Sequence, residues 1–209
     1  MTNRQVDKIF YRTIIVLVFI AITLSVKVFG STRCRNYIQQ EKLAHYEVFG
    51  IDYPYWFGVG QIQQESGCRN VLSKDGIGSE GLPQITLRVW KKYLSKYAIY
   101  SIGSIRNQIK AQALIMKDCK KQAFSSHLWV AYQLYNGGSL VNKEITRARK
   151  AYDIREVPWC LAIEFCKRKN IIFNNGQIVN ACKINYDYSK KVYKYGIIYK
   201  TIDSSYKFW

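Results

Sequence analysis

At 209 residues, 48% of them hydrophobic, the chain can bury one sizeable core with a short appendage and is too short for two comfortable ones. Its 32 Lys and Arg against 14 Asp and Glu leave a formal charge of +18, a field that draws polyanions: nucleic acid, anionic lipid or a carboxylate-rich wall polymer. No helix-turn-helix, zinc-finger or RNA-recognition motif points to specific nucleic acid, and the basicity of a Lys-rich proteome is the plain alternative.

The first 30 residues hold Arg4, Asp7, Lys8, Arg12 and Lys27, so 28 basic and 13 acidic residues (+15) belong to the remainder. Thr13 to Val26 carries no charge. A membrane span wants about 20 apolar residues, and Tyr11 with a snorkelling Lys27 extends the run toward both interfaces. Basic residues before the run keep the N-terminus cytoplasmic and export the rest. The expectation is a single-pass anchor through residues 13–28; the alternative is a signal peptide cut near Ser31, after the small residues Val28 and Gly30. Six cysteines (Cys34, Cys68, Cys119, Cys160, Cys166, Cys182) fit an oxidising compartment. With no C-x-x-C pair and only His45 and His127, no zinc site is expected, and no cofactor is implied. Cys166 or Cys160 lies close enough in sequence to Cys182 for a bridge, although spacing leaves the connectivity open and buried thiols are the alternative.

Residues 31–50 read as a tether, to about 47, and a first helix. Pro54 after Asp52-Tyr53 suits the first turn of a helix over 54–66, with Asp52 near its cap and Trp56, Val59 and Ile62 facing the core. Four glycines between Gly67 and Gly81 mark a loop. Thr86 can cap a helix to about Lys96. Helical spacing continues at Ile105, Ile109, Ala113 and Met116 within 105–120. A buried helix over 126–135 ends at Asn136-Gly137-Gly138, an amphipathic basic one covers 140–152, and Pro158 precedes another at 159–169. Ile171 to Val179 is a hairpin around Asn175-Gly176. A last helix covers 186–195, followed by a tail over 196–209. The fold class expected is mainly α, one helical domain over 48–195 with a small hairpin.

Within that domain three motifs stand in order. Gln61-Ile62-Gln63-Gln64-Glu65-Ser66-Gly67 places a carboxylate at a helix end. Gly81-Leu82-Pro83-Gln84 returns with an amide. Ala131-Tyr132-Gln133-Leu134-Tyr135-Asn136-Gly137 follows about fifty residues later. The order Glu-Ser, Gly-Leu-x-Gln, Tyr-Asn-x-Gly resembles the catalytic domain of the soluble-lytic-transglycosylase family over roughly residues 48–195. The resemblance implies a lysozyme-like fold behind the N-terminal helix and cleavage of bacterial peptidoglycan strands. Two departures stand out. Pro83 occupies a place where Met is common. In the family's late Glu-Thr-x-x-Tyr-Val-x-x-Val pattern, Tyr188 and Val192 keep their spacing while Ile184 and Asn185 replace Glu-Thr.

The residues themselves explain why Glu65 suits the task. Glycosidic cleavage needs a carboxyl still protonated near neutral pH. The negative end of a helix disfavours a nearby anion, and an aromatic-walled groove desolvates it. Paired-carboxylate glycosidases need a second acid, but Asp52, Asp75 and Glu80 stand in no recognisable motif. The resemblance implies that one glutamate suffices: it protonates the oxygen between N-acetylmuramic acid and N-acetylglucosamine, then takes the proton of the muramic C6 hydroxyl to close a 1,6-anhydro ring. It further implies substrate contacts at Ser66, Gln84, Tyr135, Asn136 and Tyr188, and structural roles for Gly81, Leu82 and Gly137. Each has a plain alternative, such as a helix-end serine, a surface amide or a core tyrosine. The chain is thus expected to be a lytic transglycosylase on the inner membrane with its C-terminal domain in the periplasm, or virion-associated if viral. It would open the wall for a secretion, conjugation or phage assembly. A hydrolytic lysozyme and a non-catalytic wall-binding scaffold are the rivals.

Overall fold

The computed structural model describes residues 32–73, 78–172 and 176–205. The apolar run at 13–26, Asp75 and Asn175 lie outside them; among the described residues no helix is long and apolar enough to cross a membrane. The described residues up to Asn36 form one compact unit, holding the short helix α1 (Thr32–Arg35). Those from Tyr37 onward form the second, and everything below concerns it.

This unit is mainly α. In chain order it holds α2 (Ile38–Phe49), α3 (Trp56–Ser66), α4 (Leu87–Leu94) with a 3-10 turn at Ser95–Tyr97, α5 (Ile105–Gln122), α6 (Leu128–Gly137), α7 (Leu140–Tyr152), α8 (Trp159–Glu164), a hairpin of β1 (Ile171–Ile172) and β2 (Ile178–Val179), and α9 (Ala181–Ser205). The two strands are antiparallel, with Ile171 opposite Val179. Helix α5 runs through the middle. Residues 111–116 are buried without interruption, which places protein on all its sides, and α2, α4 and α6 pack around it. Ser104 opens it by accepting the Asn107 amide at 3.2 Å.

Helix α3 lies between α2 and α9. Val59 and Ile62 are fully buried, as expected, while Trp56 is half-buried. The helix starts two residues later than the sequence pattern predicts, and Asp52 does not cap it. Aromatic stacking sets the entry instead: Tyr53 lies on Phe49 with ring centres 3.9 Å apart, and on His45 at 5.2 Å. Two glycines let neighbours come close. A methyl on Gly58 would stand 2.4 Å from His45 Cε1 and 2.5 Å from Glu41 Oε2, and one on Gly60 would stand 2.4 Å from the Val192 carbonyl of α9. Glu41 and His45 form a fully buried pair at 3.1 Å, and burial holds the Glu41 carboxyl above its ordinary range.

Helix α9 runs from 181 to 205, far beyond the expected 186–195. Tyr188, Val192, Gly196 and Tyr199 fall at helical spacing on one buried face. Gly196 admits the Phe57 ring against the α9 backbone. Helix α8 stops at Glu164 instead of reaching 169. The Phe165 carbonyl is taken by Arg147 Nη2 at 2.8 Å, and the Cys166–Cys182 disulfide draws the chain to the start of α9. Cys160 and Cys119 are free thiols, exposed and buried respectively.

Candidate active site at the end of helix α3

The loop expected between 67 and 81 carries short β-bridges, Leu72 to Glu80 and Glu80 to Ile85, so the chain folds back over the end of α3. Gly81 takes φ +81°, and a Cβ there would strike the Gln108 amide at 2.5 Å. That amide is fixed in place: its oxygen accepts the Leu82 amide at 2.9 Å, and its nitrogen donates to Asn70 Oδ1 and the Ile102 carbonyl, each at 2.9 Å. Leu82 is fully buried and plugs the turn into the core. Gln84 is left-handed at φ +50°, a strained conformation for a residue with a Cβ. Its side-chain nitrogen donates to the Gly81 carbonyl at 2.8 Å and the Val71 carbonyl at 2.9 Å, which holds the turn closed.

A polar cleft of about 490 Å³ opens between this loop and α6, lined by Glu65, Ser73, Ser79, Gln84, Thr86, Tyr135 and Asn136. Three separated motifs therefore meet in one place. Glu65 is the lone carboxylate among the described lining residues; Glu80 lines a neighbouring hollow beside Gly81. Burial pushes the Glu65 carboxyl up to about 7, against the opposing pull of a hydrogen bond from Tyr188. That bond, Tyr188 Oη to Glu65 Oε1, is 2.5 Å long.

Its direction is set from deep in the core. Gln112 Nε2 donates to the Gly58 carbonyl at 3.1 Å and to Gln61 Oε1 at 3.0 Å. With its oxygen so engaged, Gln61 presents its Nε2 to Tyr188 Oη at 3.2 Å. The tyrosine oxygen accepts there, so its proton points at Glu65. A chain of amides from α5 through α3 thus orients a phenol of α9 onto the carboxylate. Gln61 and Glu65 are one turn apart on the same face of α3.

The remaining expected site residues sort themselves by what their polar atoms do. Tyr135 lines the cleft and donates to the Pro83 carbonyl at 2.8 Å, tying α6 to the loop. Burial, then the nearby Glu65 charge, raises its phenol far above the ordinary range. Asn136 lines the cleft and donates to Asn185 Oδ1 at 2.7 Å. Ser66 is turned inward: its hydroxyl donates to the Ile62 carbonyl at 3.1 Å and accepts the Arg69 amide at 3.2 Å, a helix-end role. Gly137 packs against Arg168, where a Cβ would meet Nη1 at 2.6 Å. Thr86 does not cap α4; its hydroxyl pairs with Ser79 Oγ at 2.7 Å in the cleft wall. Sequence reasoning gave no site role to Ser79 and Thr86, nor to Ser73, Gln61 and Gln112. The one signal for the first two is that they bracket the Gly81–Gln84 turn. No protein-family model, curated protein or solved structure matches the chain.

Proposed function

We propose that the chain is a peptidoglycan lytic transglycosylase, with Glu65 as its acid and then its base. The observation that carries this reading is a carboxyl pushed up to about 7 that opens on a polar cleft. A group of that kind is protonated in a useful fraction near neutral pH and returns easily as a base. The three motifs of the lytic-transglycosylase pattern converge on the same cleft, which supports the finer reading of a lysozyme-like domain. Glu65 would donate its proton to the glycosidic oxygen as the bond to C1 of N-acetylmuramic acid breaks. The resulting carboxylate, steadied by Tyr188, would take the C6 hydroxyl proton while that oxygen closes on C1, so no water is consumed. A lone carboxylate among the described cleft residues suits this intramolecular route better than a paired-acid hydrolysis.

In this reading the N-terminal apolar run anchors the enzyme to the inner membrane, and the domain works on glycan strands in the periplasm. Local wall opening for a secretion, conjugation or virion assembly is the task it fits. The test is digestion of purified sacculi by the full chain in mild detergent, with products weighed by mass spectrometry. Anhydro-muropeptides are expected, and Glu65→Gln should lower their rate at least ~100-fold. Reducing ends in place of anhydro ends would make the enzyme a hydrolase; equal digestion by wild type and variant would remove Glu65 from the chemistry.

A further inference from the structure

A second, smaller hollow of about 110 Å³ lies beyond Gly137, lined by Leu140, Lys143, Glu144, Arg147, Lys167 and Arg168. Four cations face one acid there. That acid is fully committed: Glu144 accepts Arg168 Nε at 3.0 Å, Arg168 Nη2 at 3.2 Å and Tyr186 Oη at 2.6 Å. Arg168 is itself buried, its side chain 7% exposed, and Nη1 finds no acceptor among the described residues. The pair therefore forms a rigid floor rather than a neutralised surface. Above it Lys143 and Lys167 are exposed and enter no ion pair within the described residues. The excess is three positive charges around the hollow, which suits a carboxylate.

Its place relative to the first cleft narrows the ligand. Asn136 lines the Glu65 cleft, and the next residue, Gly137, rests on Arg168 of the second hollow. The two spaces are separated by the last turn of α6. Resting on the reading of the Glu65 cleft as a glycan site, we propose that this basic hollow holds a carboxylate of the peptide branch on the same glycan strand. A strand lying past Glu65 would carry its acidic peptides over the end of α6, and the hollow would set which sugar presents its C1 to the acid.

The measurement is pelleting of the full chain, carrying Glu65→Gln throughout so that the wall is not digested, with intact sacculi and with cross-linked sacculi whose peptide carboxylates are capped by a carbodiimide and a neutral amine. The Lys143→Ala/Lys167→Ala variant changes only exposed side chains. It should bind intact sacculi about fivefold more weakly than the chain with both lysines, the scale of losing two exposed charge contacts, and bind capped sacculi equally well. Lys117→Ala/Lys121→Ala, which removes the same charge from exposed sites on α5, should change neither. Equal losses on both substrates, equal losses in the control pair, or no loss at all would each overturn the proposal. So would a loss seen only with phosphatidylglycerol vesicles, which would make the hollow a phosphate site. Binding is read in the Glu65→Gln background without turnover, so a wild-type chain that yields no anhydro products beside a carboxylate-dependent binding difference refutes the enzymatic reading and leaves the hollow standing.

Discussion

Replacing Glu65 by Gln should stabilise the protein, and by an amount that depends on pH in a defined way. In the unfolded chain the carboxyl ionises near 4.5; in the folded one burial delays this to about 7. Between those values the folded state holds a proton that the unfolded state has released, so raising the pH favours unfolding. At about 1.4 kcal/mol per pH unit, the full cost above pH 7 is about 3 kcal/mol, and ~2 kcal/mol once the open side of the cleft is allowed for. The substituted amide cannot ionise, and its oxygen still accepts the Tyr188 proton. The variant should therefore match wild type at pH 4, gain steadily from pH 4.5 to 7, and level off above. For a domain of this size the plateau corresponds to a rise in Tm of roughly 4–8 °C. Thermal unfolding of both chains across pH 4–8.5 measures it, and every other titrating group cancels in the difference. A gain that does not change with pH, or a variant less stable than wild type at pH 8, would mean that the Glu65 carboxyl is not held protonated by the fold.

Tyr188→Phe removes the donor that favours ionised Glu65, so the alkaline limb of the pH–rate profile should move to higher pH; a move to lower pH would contradict the hydrogen-bond direction. The same change strands Gln61 Nε2 and should cost about 1 kcal/mol in denaturant unfolding. Gly60→Ala places a methyl 2.4 Å from the Val192 carbonyl and 2.7 Å from the Gly196 amide, both backbone atoms that cannot turn aside. It should lower stability by about 2–3 kcal/mol and reduce activity, because α3 and α9 must separate; an unchanged Tm would refute that close approach.

Much of the helical order was legible because the period of apolar residues is a local property. Ile109, Ala113 and Met116 reported the buried face of α5 directly, and the limits of α7 at 140 and 152 follow from its amphipathic stripe. What failed was punctuation. The last helix was expected over 186–195 and runs from 181 to 205, with Gly196 inside it as a contact for Phe57. A helix over 159–169 was expected after Pro158, but it ends at Glu164, where Arg147 takes the Phe165 carbonyl and Cys166 is bridged to Cys182. The candidate site was legible where its lining residues Glu65, Gln84, Tyr135 and Asn136 stand in short motifs. The side chains behind that lining were not. The pairing of Asn136 with Asn185 joins residues 49 apart, and the relay from Gln112 to Tyr188 passes through an amide whose orientation only its partners decide. No local pattern encodes such pairs.

The antiparallel crossing of α3 and α9 ties stability to the chemistry at Glu65. Tyr55 is bonded to Asp203, Gly60 touches the backbone near Val192 and Gly196, and Glu65 meets Tyr188, so the two helices run past each other in opposite senses. The approach at Gly60 sets how near the helices come, and Tyr188 sits one turn of α9 from that contact. The phenol lies 2.5 Å from the carboxylate, at the short end of the hydrogen-bond range. Widening the crossing would lengthen that bond and open Glu65 to water. Loss of the Tyr188 bond alone would raise the carboxyl further, but burial is the larger cause of its position, so admitted water would return it toward its ordinary value and leave it ionised at neutral pH. Substitutions at Gly60 or Gly196, remote from any substrate, should then shift the pH–rate profile toward lower pH as well as lower the rate. A purely structural lesion would reduce the amount of folded enzyme without moving that profile, so the direction of the pH shift separates the two.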